Sequence, residues 1–159
     1  NGLPLNATDQ QLTISPSEWA GYDLFKSLNG ADSFHCNNGP LMQVQKFSNN
    51  RLDNVFNDLG RMHVTGNSND KGKFKVPTLR NIELSGPYMH DGRFQTLDEV
   101  IEHYSSGIVQ SPTIDPLIEF ASQGGVQLSA EQKDLLKQFL KTLTDYRFIQ
   151  NPAFQPPAD

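Results

Sequence analysis

The sequence has little cysteine, no excess of positive charge and no long apolar run. One cysteine among 159 residues excludes an internal disulfide. Lysine and arginine number 13 against 18 aspartates and glutamates, for a formal net charge of −5. This balance argues against nucleic acid as a partner, because phosphate binding needs clustered cations. No apolar stretch approaches the roughly 18 residues of a membrane-spanning helix, so we expect no membrane span.

Three segments carry the pattern of a capped helix start: SPSEWAGYDLFKS, TLDEVIEHYSSG and SAEQKDLLKQFLKTLTD. Each begins with Ser15, Thr96 or Ser129, and a glutamate or glutamine follows three residues later. The apolar residues then recur with the 3.6-residue period of a helix. A fourth, shorter helix is expected after Pro77, and no alternating run predicts a sheet. The pattern therefore predicts an all-α domain of three to four helices with long irregular loops.

The segment 29–75 shows little periodicity and is rich in asparagine, aspartate and glycine. A long stretch of this kind inside a compact domain indicates a functional loop or a segment that wraps a cofactor. Within it, ADSFHCNNGPLM resembles the C-x-x-C-H sequence that attaches a c-type haem. Ser33 stands at the first cysteine position and Asn37 at the histidine position, so Cys36 is the one attachment group left.

A c-type haem needs two thioether links and a proximal imidazole on the iron. Ser33 cannot form a thioether, and the amide of Asn37 is a poor iron ligand beside imidazole. Cys36 offers one link or a thiolate ligand, and its alternative is a small buried side chain or an idle thiol. We therefore expect no normally attached haem in the sequence as written.

The stretch FKVPTLRNIELSGPYMHDGRFQTLDEVIEHY resembles the C-terminal domain of the bacterial di-haem cytochrome c peroxidases, a family that includes MauG-like proteins. V-P-T-L-R-N, P-Y-M-H-D-G, T-L-x-E-V and a tyrosine occur in the family's order. GYDLFKS is similar to the family's helix before C-x-x-C-H, and LSAEQKDLLKQFLKTLTD is similar to its closing helix. The resemblance implies a cytochrome-c-like fold.

The resemblance also implies a domain organisation. We expect an extended lead-in from a preceding segment over residues 1–14, the C-terminal domain over 15–145 and a proline-rich tail over 146–159. The first residues, NGLPLNATDQ, look like an interior cut, so any targeting segment would lie outside them. In the family, the N-terminal haem reduces hydrogen peroxide and the C-terminal haem receives electrons. The implied partners are that N-terminal domain and a small electron-donor protein, in the periplasm or cell envelope.

Family positions give further expected site residues. Arg80 matches an arginine that pairs with a haem propionate; its alternative is a structural ion pair with Glu83 or Asp91. Tyr104 stands where the family places the second axial ligand, and without haem it would be a core aromatic. By resemblance, His90 is a family haem position and forms a hydrogen-bonded pair with Asp91 near the domain interface; the alternative for His90 is a purely structural histidine.

A calcium ion bound between the two domains is a further family feature. It is held partly by backbone carbonyls at positions matching Ser85 and Pro87. Carbonyl oxygens suit a hard cation such as calcium. Without the other domain that site would be incomplete.

Two hypotheses from different classes follow. In the first, the chain is a haem-less C-terminal domain that acts as a structural or binding module and is not catalytic alone. In the second, it is a working electron-transfer haem domain of a peroxidase. The first is favoured because two of three attachment groups are missing. An empty haem pocket would cost about 24 cal/mol per Å³, so side chains should fill it. The candidates are Phe34, Met42, Phe47 and Phe56.

Overall fold

The computed structural model describes residues 14–27, 37, 42, 45–113 and 123–155. Five α-helices lie within these residues: α1 Pro16–Lys26, α2 Met62–Thr65, α3 Leu97–Ser106, α4 Ala130–Lys141 and α5 Tyr146–Ile149. Short 3₁₀ turns cover Ser68–Asp70, Ile82–Leu84 and Pro152–Phe154. Two short strands are present: β1 Phe47–Ser48 and β2 Phe74–Lys75. The mainly helical fold class is confirmed.

The three long helices begin at the predicted caps. The side chains of Ser15, Thr96 and Ser129 each accept a hydrogen bond from the backbone N–H three residues later. In each helix the glutamate or glutamine at that third position accepts the N–H of the cap residue in return. Both hydrogen bonds join groups three residues apart, which is why the sequence pattern alone located them.

A small sheet is present where the sequence predicted none. Strands β1 and β2 pair antiparallel, with Phe47 opposite Lys75 and Ser48 opposite Phe74. Each strand has two residues, too few to display an alternating apolar pattern. The pairing closes residues 47–75 into a loop, so that positions 47 and 75 lie side by side.

The core lies where α1, α3 and α4 meet. Its buried residues are Phe25, Tyr88, Leu97, Ile101, Leu128, Leu136, Phe139 and Leu140. Helices α1 and α4 approach so closely at Gly21 that a Cβ added there would overlap the carbonyl oxygen of Leu135. This contact fixes the frame onto which the remaining loops pack.

Two segments outside the three long helices are also helical: one lies between Pro77 and α3, and the other follows α4. The short helix expected after Pro77 is a 3₁₀ turn over Ile82–Leu84, whose Ile82 carbonyl accepts the Tyr88 hydroxyl at 2.8 Å. The tail contains α5 and a further 3₁₀ turn, capped by the side chains of Asp145 and Asn151. Among the described residues, no helix has the length and apolarity needed to cross a membrane.

Candidate functional site

Of the three positions of the predicted haem-attachment motif that the sequence singled out, Ser33, Cys36 and Asn37, the structure describes Asn37. Ser33, Phe34 and Cys36 lie outside the described residues, so their predictions stay untested. Asn37, at the position predicted for the axial histidine, is described and half-buried.

The amide of Asn37 holds two backbone segments together. Its Nδ2 donates to the carbonyl of Met42 at 3.1 Å and to the carbonyl of Pro77 at 3.2 Å. The backbone N–H of Leu79 donates to the same Met42 carbonyl at 3.2 Å. Met42 has a left-handed backbone, with φ 49°, and its side chain packs against the core cluster. The residue at position 37 thus joins the loop to the V-P-T-L-R-N segment.

Arg80 does not form the structural ion pair offered as its alternative role. Its guanidinium is exposed and makes no ion pair within the described part of the chain. Glu83 pairs instead with Lys141 at 3.2 Å. The Asp91 carboxylate is also occupied elsewhere. The cation at position 80 is therefore at the surface and available to an anion.

The expected hydrogen bond between His90 and Asp91 is not formed. Asp91 accepts from Arg93 Nε at 2.8 Å, and this bond holds the pKa of the Asp91 carboxyl below its usual value. The other Arg93 nitrogens donate to the two carboxylate oxygens of Asp53 at 3.1 and 2.6 Å. The His90 ring stacks on Phe74, with centroids 3.7 Å apart. Arg93 takes the role expected of His90 because its fork reaches both carboxylates at once.

Tyr104 lies on α3 and is half-buried, beside a histidine that sequence reasoning missed. The rings of His103 and Tyr104 meet edge to face, with centroids 5.1 Å apart. His103 is 6% exposed, and its Nε2 is 2.9 Å from the carbonyl of Asn50. Burial lowers the pKa of His103, since a low-polarity surrounding disfavours the charged ring. The signal that could have found it is its position three residues after Val100, a predicted apolar residue of α3 that packs against the core cluster.

Two surface cavities flank the Arg93 network. The first has a volume of about 440 Å³, and its lining includes Asp53, Phe74, His90, Asp91 and Arg93. The second, of about 370 Å³, lies beside His103. Neither lining includes Arg80 or Tyr104, two of the predicted haem positions. His90 is therefore the one described haem position that lines either cavity, and neither cavity brings it together with Arg80 or Tyr104.

The predicted pocket-filling residues behave differently from one another. Met42 packs against the core cluster. Phe47 is 41% exposed and lies under the guanidinium of Arg61, 4.3 Å from ring to cation. Phe56 covers Gly72 at the larger cavity. Of the described candidates, Met42 is the one that joins the core.

The backbone positions predicted for calcium are at the surface. Ser85 and Pro87 are both exposed; Ser85 lies two residues before P-Y-M-H-D-G, and Pro87 is its first residue. Over the described ranges, no group of three or more histidine, cysteine, aspartate or glutamate side chains is arranged to hold a metal ion. A backbone calcium site at these two residues remains a prediction.

Comparisons with known proteins place the chain in a family. No protein-family model matches it. It is 36% identical to the cytochrome c551 peroxidase of Nitrosomonas europaea over 152 residues, covering 91% of this chain and 38% of that protein. It is 33% identical to the methylamine utilization protein MauG of Methylorubrum extorquens over 103 residues, covering 57% and 27% respectively.

A solved structure agrees with both. A MauG-like protein associated with microbial copper homeostasis superposes with a TM-score of 0.79 and 32% identity, covering 91% of this chain and 48% of that one. The chain thus spans less than half the length of each of these relatives. The matches to the cytochrome c551 peroxidase and to the MauG-like structure each cover 91% of this chain. The chain belongs to the family of di-haem cytochrome c peroxidases and MauG-like proteins.

Proposed function

We propose that the chain is the C-terminal domain of a di-haem cytochrome c peroxidase-like protein, that it does not attach a c-type haem, and that it acts as a structural or binding module. The observation that carries the proposal is the replacement of two of the three attachment groups. Serine occupies position 33 and asparagine position 37, where covalent haem needs a thiol and an imidazole.

The geometry at position 37 supports this proposal. An amide nitrogen carries two hydrogens and no lone pair suited to a metal. Both hydrogens of Asn37 point to backbone carbonyls of the protein, those of Met42 and Pro77. The residues present therefore do not fit a doubly linked haem with a histidine ligand. Asn37 is held by contacts that need no iron.

The proposed partner of the module is the peroxidatic N-terminal haem domain of the same protein, in the periplasm or cell envelope. The support is the length of the relatives, of which this chain spans less than half. The retained scaffold, with its capped helices and closed loop, gives such a domain a defined surface to pack against. On this proposal the chain is not catalytic alone.

A second candidate function is favoured by the state of Arg80 and Tyr104. The Arg80 guanidinium is exposed with no ion pair in the described part of the chain, which suits a carboxylate supplied by a ligand. Tyr104 is half-buried on α3, as an axial ligand would require. On this alternative the chain is an electron-transfer haem domain that receives electrons from a small donor protein.

An absorption spectrum separates the two candidates. The chain is produced together with the c-type haem maturation machinery and compared with the double variant Ser33→Cys plus Asn37→His. We expect no Soret band from the unchanged chain and a band from the double variant, with haem that stays on the denatured polypeptide. The matched control is Ser33→Ala plus Asn37→Gln, which alters the same positions without adding an attachment group.

The contrary outcomes are distinct. A Soret band from the unchanged chain would favour the electron-transfer candidate. Absence of a band from the double variant as well would show that the scaffold no longer accepts haem, and would contradict the proposal that replacement of the two attachment groups is what prevents attachment.

A further inference from the structure

We propose that Asn37 is a latch, meaning that its side-chain amide joins Met42 to Pro77 and holds position 37 in place as an iron–imidazole bond there would, so that this junction needs no metal. The inference deepens the proposed function and rests on it. It concerns how the same site is stabilised once haem is absent.

The two acceptors of the latch belong to different parts of the chain. One is the carbonyl of Met42, in the same loop, 3.1 Å from Asn37 Nδ2. The other is the carbonyl of Pro77, 3.2 Å away and 40 positions along the sequence. A primary amide is suited to this bridge because one nitrogen carries two donors that point in different directions.

Further hydrogen bonds extend the junction in a row. Leu79 N–H donates to the Met42 carbonyl at 3.2 Å, and Val76 N–H donates to the Lys46 carbonyl at 3.0 Å. The β1–β2 pair continues the same join. Asn37 is therefore at one end of a seam between the loop and the V-P-T-L-R-N segment. Without the two hydrogen bonds of Asn37, the Leu79 N–H would be the one remaining described donor to the Met42 carbonyl.

Histidine is a poorer latch in the absence of a metal. A neutral imidazole carries one N–H donor, so it can satisfy one of the two carbonyls and leaves the other without that partner. Asparagine is smaller and satisfies both. The substitution at position 37 therefore removes the metal ligand and supplies a replacement contact in one step.

The test uses Asn37→Asp, which keeps the shape but replaces both donors with an oxygen that faces two carbonyl oxygens. The matched control is Asn54→Asp, the same change of charge at an exposed asparagine that makes no hydrogen bond within the described residues. The measurements are the melting temperature and amide hydrogen exchange in the 159-residue chain.

We expect the exchange rate of the Leu79 amide to rise at least about fivefold in Asn37→Asp, since two hydrogen bonds near it are lost. The exchange of α4 amides such as Phe139 should change far less. The melting temperature should fall by at least about 2 °C. Asn54→Asp should leave the exchange of both amides unchanged.

The variant Asn37→Ala keeps the test decisive if the added charge of Asn37→Asp unfolds the chain. It removes the donors without repulsion, and the same selective loss of protection at Leu79 is expected. Unchanged exchange at Leu79 in Asn37→Ala would overturn the latch. That result is independent of the absorption spectrum, which tests haem attachment, so failure of the latch and failure of the proposed function are separately visible.

Discussion

His103 illustrates how one buried side chain links a helix to a distant loop. Its ring lies between the rings of Phe94 and Tyr104, with centroid distances of 5.6 and 5.1 Å. Its Nε2 is 2.9 Å from the carbonyl of Asn50, 53 positions away. Since a carbonyl only accepts, Nε2 carries the proton of the neutral ring. The side chain therefore ties α3 to the loop through an Nε2–H donor.

We predict a pH dependence of stability from this histidine. Burial lowers the pKa of His103 in the folded protein, while the unfolded chain binds the proton near pH 6.5. The unfolded state thus binds more protons below that pH, and the free energy of unfolding falls as the pH drops through about 6.5 towards the lowered pKa. Among the neighbouring charges, Arg93 strengthens this effect and Asp53 opposes it.

The measurement is the difference in melting temperature between pH 7 and pH 5. We expect His103→Gln to show a smaller difference than the unchanged chain, because glutamine can donate to the Asn50 carbonyl but does not titrate. His63→Gln is the control, since His63 is exposed and its loss should leave the pH dependence unaltered. Equal differences in all three proteins would contradict the assignment to His103.

Helix α1 packs on α4 because of one glycine. Alanine is favoured over glycine within a helix by about 1 kcal/mol, so local propensity alone would make Gly21→Ala stabilising. A Cβ at Gly21, however, would overlap the Leu135 carbonyl and lie 2.9 Å from the Phe139 Cβ. Overpacking typically costs about 1–3 kcal/mol, and backbone against backbone cannot relax by a rotamer change. The packing effect should therefore win.

We predict that Gly21→Ala lowers the free energy of unfolding by about 1–3 kcal/mol, measured by denaturant titration. The control is Ala20→Gly at the adjacent exposed position, which should cost about 1 kcal/mol through propensity alone. A Gly21→Ala variant as stable as the unchanged chain would show that the two helices separate without penalty, contrary to the described contact.

At this level of secondary structure, much could be predicted from the sequence. The starts of α1, α3 and α4 followed from their capping boxes, which are local. The β1–β2 pair did not, because its register depends on residue pairs 28 and 26 positions apart that carry no pattern of their own. The helix expected after Pro77 became a 3₁₀ turn, held in part by the hydroxyl of Tyr88.

At the scale of the whole chain, the calcium site predicted from the family is incomplete. The calcium positions Ser85 and Pro87 supply two backbone oxygens, whereas Ca²⁺ takes about 6–8 oxygen ligands. We predict that the melting temperature of this chain changes by less than about 1 °C on adding millimolar calcium or a chelator, because weak binding yields little stabilisation. A saturable rise of several degrees, absent with magnesium, would show a complete site within this chain.

The sequence by itself determined the family and the helical fold class, because these depend on local motifs and on the period of the apolar residues. The tertiary structure decided which partners the site residues have. In the folded chain, Arg93 donates to Asp91, the His90 ring stacks on Phe74, and the Asn37 amide donates to the Pro77 carbonyl. Such pairings join residues distant in the chain, and several side chains of suitable chemistry compete for each partner, so only the folded geometry selects among them.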